Sequence, residues 1–182
     1  MNDIFTVAID ISKLNMPDLS QKCYKIKNKY KSVAVSNIGG YQSPILNPDD
    51  LKEITPVVLE QAKQYNLKTL KLKGNLRILN YWLNINTLGN YNTTHRHPFT
   101  FISAVLYVKA PKNSGKLVFH NEHPLDLFFE KQELKEFNKF NSTNYDVHPE
   151  DNLLIIFPGY LKHSVEPSLS TEDRISIAFN LG

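Results

Sequence analysis

The chain has 182 residues, 41% of them hydrophobic and 21% charged, an ordinary composition for a soluble globular protein. A single cysteine, Cys23, excludes an internal disulfide and a cysteine-rich zinc site. The net charge of +3 is far below that of a dedicated nucleic-acid binder, so nucleic acid is not a favoured partner. Neither a membrane span nor a signal peptide is recognisable. We therefore expect one cytoplasmic domain over residues 1–182, with its core from about residue 68 and no membrane partner.

The first third of the chain mixes strand and helix patterns. Residues 5–11 alternate as a strand would. Lysines at positions 25, 27, 29 and 31 alternate with other residues, which is typical of an edge strand whose lysines stay in water. A phosphate-binding strip is the alternative. The two glycines in residues 36–43 indicate a turn, but no phosphate-loop lysine follows, so a nucleotide site is not predicted.

Residues 48–65 are predicted to form a helix that packs outside the later strands. Asn47 suits the N-cap, and Pro48 suits the first helical position, where no N–H is needed. Pro56 would remove a backbone hydrogen bond inside the helix, so a kink or two helices are expected.

From residue 69 onward the pattern is that of strands. Several short strands separated by turn-like segments predict a mainly β protein, a sandwich or barrel. The candidate strands are residues 69–73, 78–86, 101–109, 116–120, 152–157 and 174–180.

Three histidines form a candidate metal site. His95 and His97 are two residues apart, a spacing that directs both imidazoles to one face of a strand. His163 follows an apolar strand and is the candidate third ligand. The remaining histidines, His120 and those at positions 123 and 148, are interpreted as surface or structural residues.

The last strand predicts an anion site in the same cavity. Arg174 and Ser176 share the face opposite the apolar residues of this strand. A buried guanidinium favours a carboxylate held by paired hydrogen bonds, and Ser176 is placed to add one more. Tyr107, on the polar face of residues 101–109, is placed to bring its phenol to the same anion. An ion pair of Arg174 with Asp173 or a neighbouring glutamate is the alternative.

The order of these features resembles the 2-oxoglutarate/Fe(II)-dependent oxygenases. The histidine pair, a tyrosine-bearing strand, a distal histidine and an Arg-x-Ser sequence eleven residues later carry the resemblance. The resemblance covers residues 36–182. Within this superfamily, the chain looks like a family of oxygenases that occurs in bacteria and phages. It implies a double-stranded β-helix of the jelly-roll or cupin-like kind. It also implies Fe(II) held by His95 and His163, and 2-oxoglutarate bound by Arg174, Ser176 and Tyr107.

His97 departs from the usual ligand set of two histidines and one carboxylate. We expect it to be the third ligand, in a three-histidine site. Two alternatives stay open. One is a three-histidine dioxygenase or a zinc enzyme without 2-oxoglutarate, with His120 as a candidate ligand. The other is a jelly-roll module that binds an anion or a partner without chemistry.

The reaction expected is hydroxylation of a substrate, with dioxygen as the second partner. Asn84 and Trp82 precede the histidine pair and are candidate lining residues, Asn84 for the cosubstrate. Residues 128–146, rich in charged and aromatic side chains, are a candidate lid. A homodimer is compatible with this interpretation.

Overall fold

Two antiparallel sheets face each other in the computed structural model, which describes residues 6–123 and 134–182. The major sheet has the strand order β1-β9-β6-β11-β4-β3, and the minor sheet has the order β2-β5-β10-β7-β8. From β4 to β7 and from β9 to β11, consecutive strands alternate between the sheets, which is how a double-stranded β-helix is wound. The strands are β1 Asp10–Lys13, β2 Asn37–Ile38, β3 Tyr41–Gln42, β4 Ile78–Asn86, β5 Tyr91–His95, β6 Ile102–Lys109, β7 Leu117–His120, β8 Asn144–Val147, β9 Leu153–Pro158, β10 His163–Val165 and β11 Arg174–Leu181.

The major sheet separates two hydrophobic regions. Its outer face packs against the helices α1 (Ser20–Lys29) and α2 (Thr55–Lys68). Its inner face meets the minor sheet, where a smaller cluster includes Tyr107, Phe119 and Phe157. Both faces of the sheet are therefore covered. Successive side chains of a central strand such as β9 point to opposite faces, and all of them are buried.

The inner face of the major sheet is organised in rows of residues that are paired across neighbouring strands. A polar row at one end is followed by a mainly apolar row, a second polar row, and finally a pair containing Arg174. The first row is Asn80, Asn180 and Ser103; the second is Trp82, Ala178 and Val105; the third is Asn84, Ser176 and Tyr107; the last pair is Asn86 and Arg174.

The N-terminal predictions are corrected in three places. The strand predicted at residues 5–11 lies at Asp10–Lys13, where pairing with β9 fixes it. The lysine-rich segment is the helix α1, not an edge strand, since Cys23 and Ile26 are buried three residues apart against the core. The helix predicted from Pro48 begins at Thr55, because Pro56 has no N–H and suits only a first turn; residues 48–54 form turns.

The strands predicted after residue 77 are present with small shifts at their ends. Residues 69–73 are not a strand, because Asn66 hydrogen-bonds to the backbone of Leu72 and Lys71 takes a positive φ of 51°. The short strands β2, β3, β8 and β10 were not predicted, since they carry too few apolar residues to show a period. A strand was expected at the histidine pair, and β5 ends at the first of the two, His95.

Residues 37–42 join the two sheets at one edge. β2 pairs with β5 in the minor sheet and β3 pairs with β4 in the major sheet. Gly39 takes φ 78° at the turn, and a Cβ on Gly40 would lie 2.6 Å from Oδ1 of Asn37. The glycines therefore allow a tight crossing between the sheets, and no nucleotide loop is formed.

Neither of the two described helices has the length and apolar character needed to cross a bilayer.

The fold makes a stability prediction for the packing of the major sheet against the helices. Leu83 in β4 is fully buried, whereas Leu67 in α2 is 64% exposed. Leu83→Ala should lower the free energy of unfolding by roughly 2–5 kcal/mol, because it removes buried methyl groups and leaves a cavity. Leu67→Ala, the matched control, should change it by less than about 0.5 kcal/mol in urea denaturation. Equal effects would contradict this assignment of the core.

Candidate active site

The structure brings the three predicted histidines together between the two sheets. His95 ends β5 and His163 begins β10, and the two are directly paired, with ring centroids 4.3 Å apart. The His97 ring lies 5.2 Å from that of His95 and 5.1 Å from that of His163. One nitrogen from each imidazole lies within 4.8 Å of the others, so the three rings can share one metal ion.

Strand alternation does not explain the position of His97. β5 ends at His95, so His97 lies beyond the strand. Its backbone N–H donates to the carbonyl oxygen of Gly159 at 2.9 Å. A Cβ on Gly159 would lie 2.3 Å from the carbonyl oxygen of Thr100, so the close approach of these two loops requires glycine. The imidazoles of His95 and His97 do point to one place, as predicted, but a loop contact and not strand alternation brings them there.

Two of the imidazoles are oriented by nearby backbone carbonyls. Nδ1 of His95 donates to the carbonyl oxygen of Thr93 at 2.7 Å, and Nδ1 of His163 donates to that of Leu161 at 2.8 Å. A carbonyl oxygen only accepts hydrogen bonds, so the proton of each neutral ring sits on Nδ1. The lone pair of Nε2 is then free for a metal, as in most histidine ligands.

The third imidazole is oriented by a side chain. Nδ1 of His97 hydrogen-bonds to Oδ1 of Asn180 in β11, and the hydroxyl oxygen of Ser103 lies 3.1 Å from the same nitrogen. Asn180 was not predicted as a site residue, although it shares the strand face of Arg174 and Ser176. That shared face was the available signal.

Burial keeps the imidazoles in their neutral, metal-binding form. The pKa of His163 is lowered to about 3, chiefly by desolvation and secondly by electrostatic repulsion from His95. Desolvation also lowers the pKa values of His95 and His97. The apolar surroundings include Phe157, whose ring lies 4.8 Å from that of His163, and Trp82, 5.6 Å from that of His97. Proton competition for the metal is therefore weak at neutral pH.

Arg174 lines the same cavity and is only 1% exposed. Its Nη1 donates to the carbonyl oxygens of Ser114 and, at 3.3 Å, of Gly115. Nε and Nη2 have no hydrogen-bond partner among the described residues. Burial lowers the pKa of Arg174, since desolvation disfavours its charged form. A buried cation with unused donors has the chemistry to bind an anion.

The alternative of a structural ion pair for Arg174 is wrong for both neighbouring carboxylates. Glu172 pairs with Lys109 at 3.0 Å. Asp173 accepts a hydrogen bond from the Tyr24 hydroxyl at 2.9 Å. Within the described chain, no carboxylate pairs with the guanidinium.

The other predicted cosubstrate residues form one row beside Arg174. Ser176 is directly paired with Asn84 on one side and with Tyr107 on the other. The hydroxyls of Ser176 and Tyr107 have no hydrogen-bond partner in the described part of the chain. Asn84 uses its Oδ1 to accept a hydrogen bond from Asn37 at 3.2 Å. All three side chains line the cavity.

No acidic residue is among the described residues that line the cavity. The lining combines three neutral imidazoles and one guanidinium with amides, hydroxyls and apolar groups. Any divalent metal held there keeps its full charge until an anion from outside the chain binds.

His120 does not belong to the histidine cluster. Its Nδ1 hydrogen-bonds to Asn144 at 2.9 Å and its Nε2 to Ser164 at 2.9 Å. The His120 ligand alternative is therefore wrong for the described geometry. Of the candidate lid, residues 128–133 lie outside the described residues, and Asn144–Val147 forms β8.

One protein-family model matches the sequence, that of the family described as "Putative 2OG-Fe(II) oxygenase" (2OG, 2-oxoglutarate), over residues 80–180. The match includes the three histidines, Tyr107 and Arg174, and it covers more than half of the chain. No curated protein sequence is similar enough to be a relative.

Solved structures of 2-oxoglutarate oxygenases have the same fold. A prolyl-4-hydroxylase from Pseudomonas putida has a TM-score of 0.66 at 16% identity, covering 96% of this chain and 93% of its own. A prolyl hydroxylase from Trichoplax adhaerens, in complex with a hypoxia inducible factor peptide fragment, has a TM-score of 0.66 at 14% identity, covering 95% and 82%. HygX from Streptomyces hygroscopicus, with nickel and 2-oxoglutarate bound, has a TM-score of 0.59 at 13% identity, covering 97% and 83%.

These comparisons confirm the predicted double-stranded β-helix fold and the resemblance read from the sequence. The match to the family also confirms the expected cofactors, Fe(II) and 2-oxoglutarate. By its sequence match and the site it carries, this chain belongs to the 2OG-Fe(II) oxygenase family.

Proposed function

We propose that this protein hydroxylates its substrate at an iron held by His95, His97 and His163, with 2-oxoglutarate bound by Arg174. The observation that carries the proposal is the meeting of three Nδ1-protonated imidazoles and a buried guanidinium with unused donors in one cavity, whose described lining includes no carboxylate. Bound Fe(II) and 2-oxoglutarate supply the oxidative decarboxylation that is coupled to oxidation of a substrate C–H bond.

The imidazoles fit a divalent iron. The Nδ1 of each ring is hydrogen-bonded within the protein, which leaves Nε2 as the nitrogen available to the metal. Nitrogen donors of this kind suit iron, copper, nickel and zinc alike. The family assignment favours iron over the other three.

The rows of the major sheet match the shape of 2-oxoglutarate. This molecule has a keto-acid end, two methylene groups and a second carboxylate. Between the histidines and Arg174, the lining passes from a mainly apolar row containing Trp82 and Val105 to a polar row containing Ser176 and Tyr107. We infer that the methylenes lie against the apolar row and that the distal carboxylate meets Arg174, Ser176 and Tyr107. Asn84 would orient the same carboxylate from the edge of the polar row.

The substrate would approach from the histidine end of the cavity. At the other end, Arg174 and Ser114 are each only 1% exposed, so that end is closed. Beside His97, the loops at residues 98–101 and 159–160 carry the exposed aromatic side chains Phe99, Phe101 and Tyr160. Exposed aromatic rings in the loops next to His97 favour contact with an apolar or planar part of a substrate.

The ligand set predicts opposite results for two histidine substitutions. His163→Ala should lower Co(II) affinity by at least about 100-fold, because the metal loses one of three protein ligands. His120→Ala should leave that affinity within about threefold, since His120 bonds to Asn144 and Ser164. Trp82 is the only tryptophan in the sequence and lies beside His97, so quenching of its fluorescence can follow the titration. Loss of affinity in His120→Ala alone would overturn the ligand set.

The anion site makes a prediction about Arg174. Arg174→Ala should weaken 2-oxoglutarate binding to the anaerobic Fe(II) protein by roughly 100-fold, about 2.7 kcal/mol, because the distal carboxylate loses its charged partner. The measurement is the visible charge-transfer band of the 2-oxoglutarate complex, together with calorimetry.

The matched control is Arg96→Ala, which removes an arginine close to the histidines whose side chain is exposed and paired with Glu122. It should bind 2-oxoglutarate like the wild type. Retained Co(II) binding in Arg174→Ala shows that the variant is folded. Wild-type 2-oxoglutarate affinity in that folded variant would end the anion-site proposal.

A further inference from the structure

The three imidazoles are held in two different ways. His95 and His163 bond to carbonyl oxygens two residues earlier in their own segments, an acceptor that every sequence provides. His97 bonds to Asn180, which is 83 positions later in the chain and lies in β11. The Ser103 hydroxyl of β6 lies 3.1 Å from Nδ1 of His97. The orientation of His97 therefore depends on side chains from other strands, of which Asn180 provides a fixed amide oxygen.

The Asn180 amide is fixed on both of its ends. Its Nδ2 donates to Oδ1 of Asn80 at 3.0 Å. Its Oδ1 faces His97 and also accepts a hydrogen bond from the Ser103 hydroxyl at 3.3 Å. Asn80, Asn180 and Ser103 are directly paired on β4, β11 and β6, so the backbone register holds this chain of hydrogen bonds in place.

The direction of the amide determines the tautomer of His97. With Nδ2 turned to Asn80, Asn180 presents only an acceptor to the imidazole, so Nδ1 of His97 must carry the proton. Nε2 is then left with its lone pair. With the amide reversed, Nδ2 would donate to Nδ1 and move the proton to Nε2, which would block metal binding at that ring.

We propose that Asn180, supported by Asn80, is a positioning residue that fixes His97 in its Nδ1-protonated tautomer and aims Nε2 at the metal. As a neutral acceptor it also keeps His97 a neutral ligand, where a carboxylate would draw the proton and make the ring a stronger donor. The inference rests on the proposed role of His97 as a ligand.

The first test reads the tautomer in the metal-free protein, by long-range proton–nitrogen NMR of the histidine rings. The wild type should show His97 protonated at Nδ1. Asn180→Ala should shift His97 to a mixture of tautomers, or to the Nε2 form. Asn144→Ala, the matched control, removes an asparagine from the Nδ1 of His120 and should leave His97 unchanged. An unchanged His97 tautomer in Asn180→Ala would overturn the inference.

The second test measures Co(II) affinity without 2-oxoglutarate. Asn180→Ala should weaken it by 10–100-fold, the range typical for losing a partner of a metal-bound histidine. Asn80→Ala should weaken it less, because Asn180 keeps its Oδ1. Asn180→Asp keeps the shape and the acceptor, so it should recover the Nδ1 tautomer and at least wild-type affinity even if Asn180→Ala does not fold. Affinity equally low in Asn180→Asp would overturn the inference.

His97→Ala separates the inference from the proposed function. If His97→Ala retains wild-type Co(II) affinity, the proposed ligand set is wrong whatever Asn180 does. If His97→Ala loses the metal while Asn180→Ala keeps both the tautomer and the affinity, the ligand set stands and the positioning role is overturned.

Discussion

The cavity between the two sheets holds a buried cation, and the described residues around it provide no anion to balance it. Arg174 is almost fully buried, and within the described chain its hydrogen bonds go only to two backbone carbonyls. Burying a charge without an opposite charge costs several kcal/mol, so the unpaired guanidinium of Arg174 destabilises the folded protein. An anionic ligand relieves that cost on binding. In the proposed function, the rest of the site directs this ligand toward the histidines.

The register of the major sheet turns this electrostatic demand into a geometry. Pairing across β4, β11 and β6 sets polar and apolar side chains in successive rows from the histidine end to Arg174. The same residues have their neighbours in sequence on the opposite face, where Ile175, Ile177 and Phe179 pack against the helices. Core packing and cavity lining are therefore fixed together, because a slip of one residue would exchange the two faces.

Much of this arrangement could be predicted from local patterns, and the rest depends on contacts between distant segments. The alternation of residues in β11 is enough to place Arg174 and Ser176 on one face, so the sequence of this strand alone supports that prediction. The alternating lysines of α1 led to the wrong prediction of an edge strand. Only Cys23 and Ile26 of this helix are buried, so its apolar stripe is too small to be recognised within an alternating pattern. The packing of α1 against the major sheet determines that this segment is a helix.

The histidine site shows the same division. The order of the histidines and the arginine indicated the chemistry, together with a family resemblance. Strand alternation was the wrong reason for placing His97, since it is held past the end of β5 by Gly159. The bond between His97 and Asn180 joins residues 83 positions apart, so no local period could reveal it.

The absence of a carboxylate from the described lining links the metal and the cosubstrate more tightly than in a site with an acidic ligand. Three neutral imidazoles leave a divalent metal with its full charge, and Arg174 adds another positive charge in the same cavity. The metal and the guanidinium repel each other, and the low polarity of the cavity strengthens this repulsion. A dianion that contacts both centres removes this repulsion, so each component should bind better in the presence of the other, by equal factors. In the proposed ligand set, His97 in the place of a carboxylate makes the bound cosubstrate part of the charge balance that retains the metal.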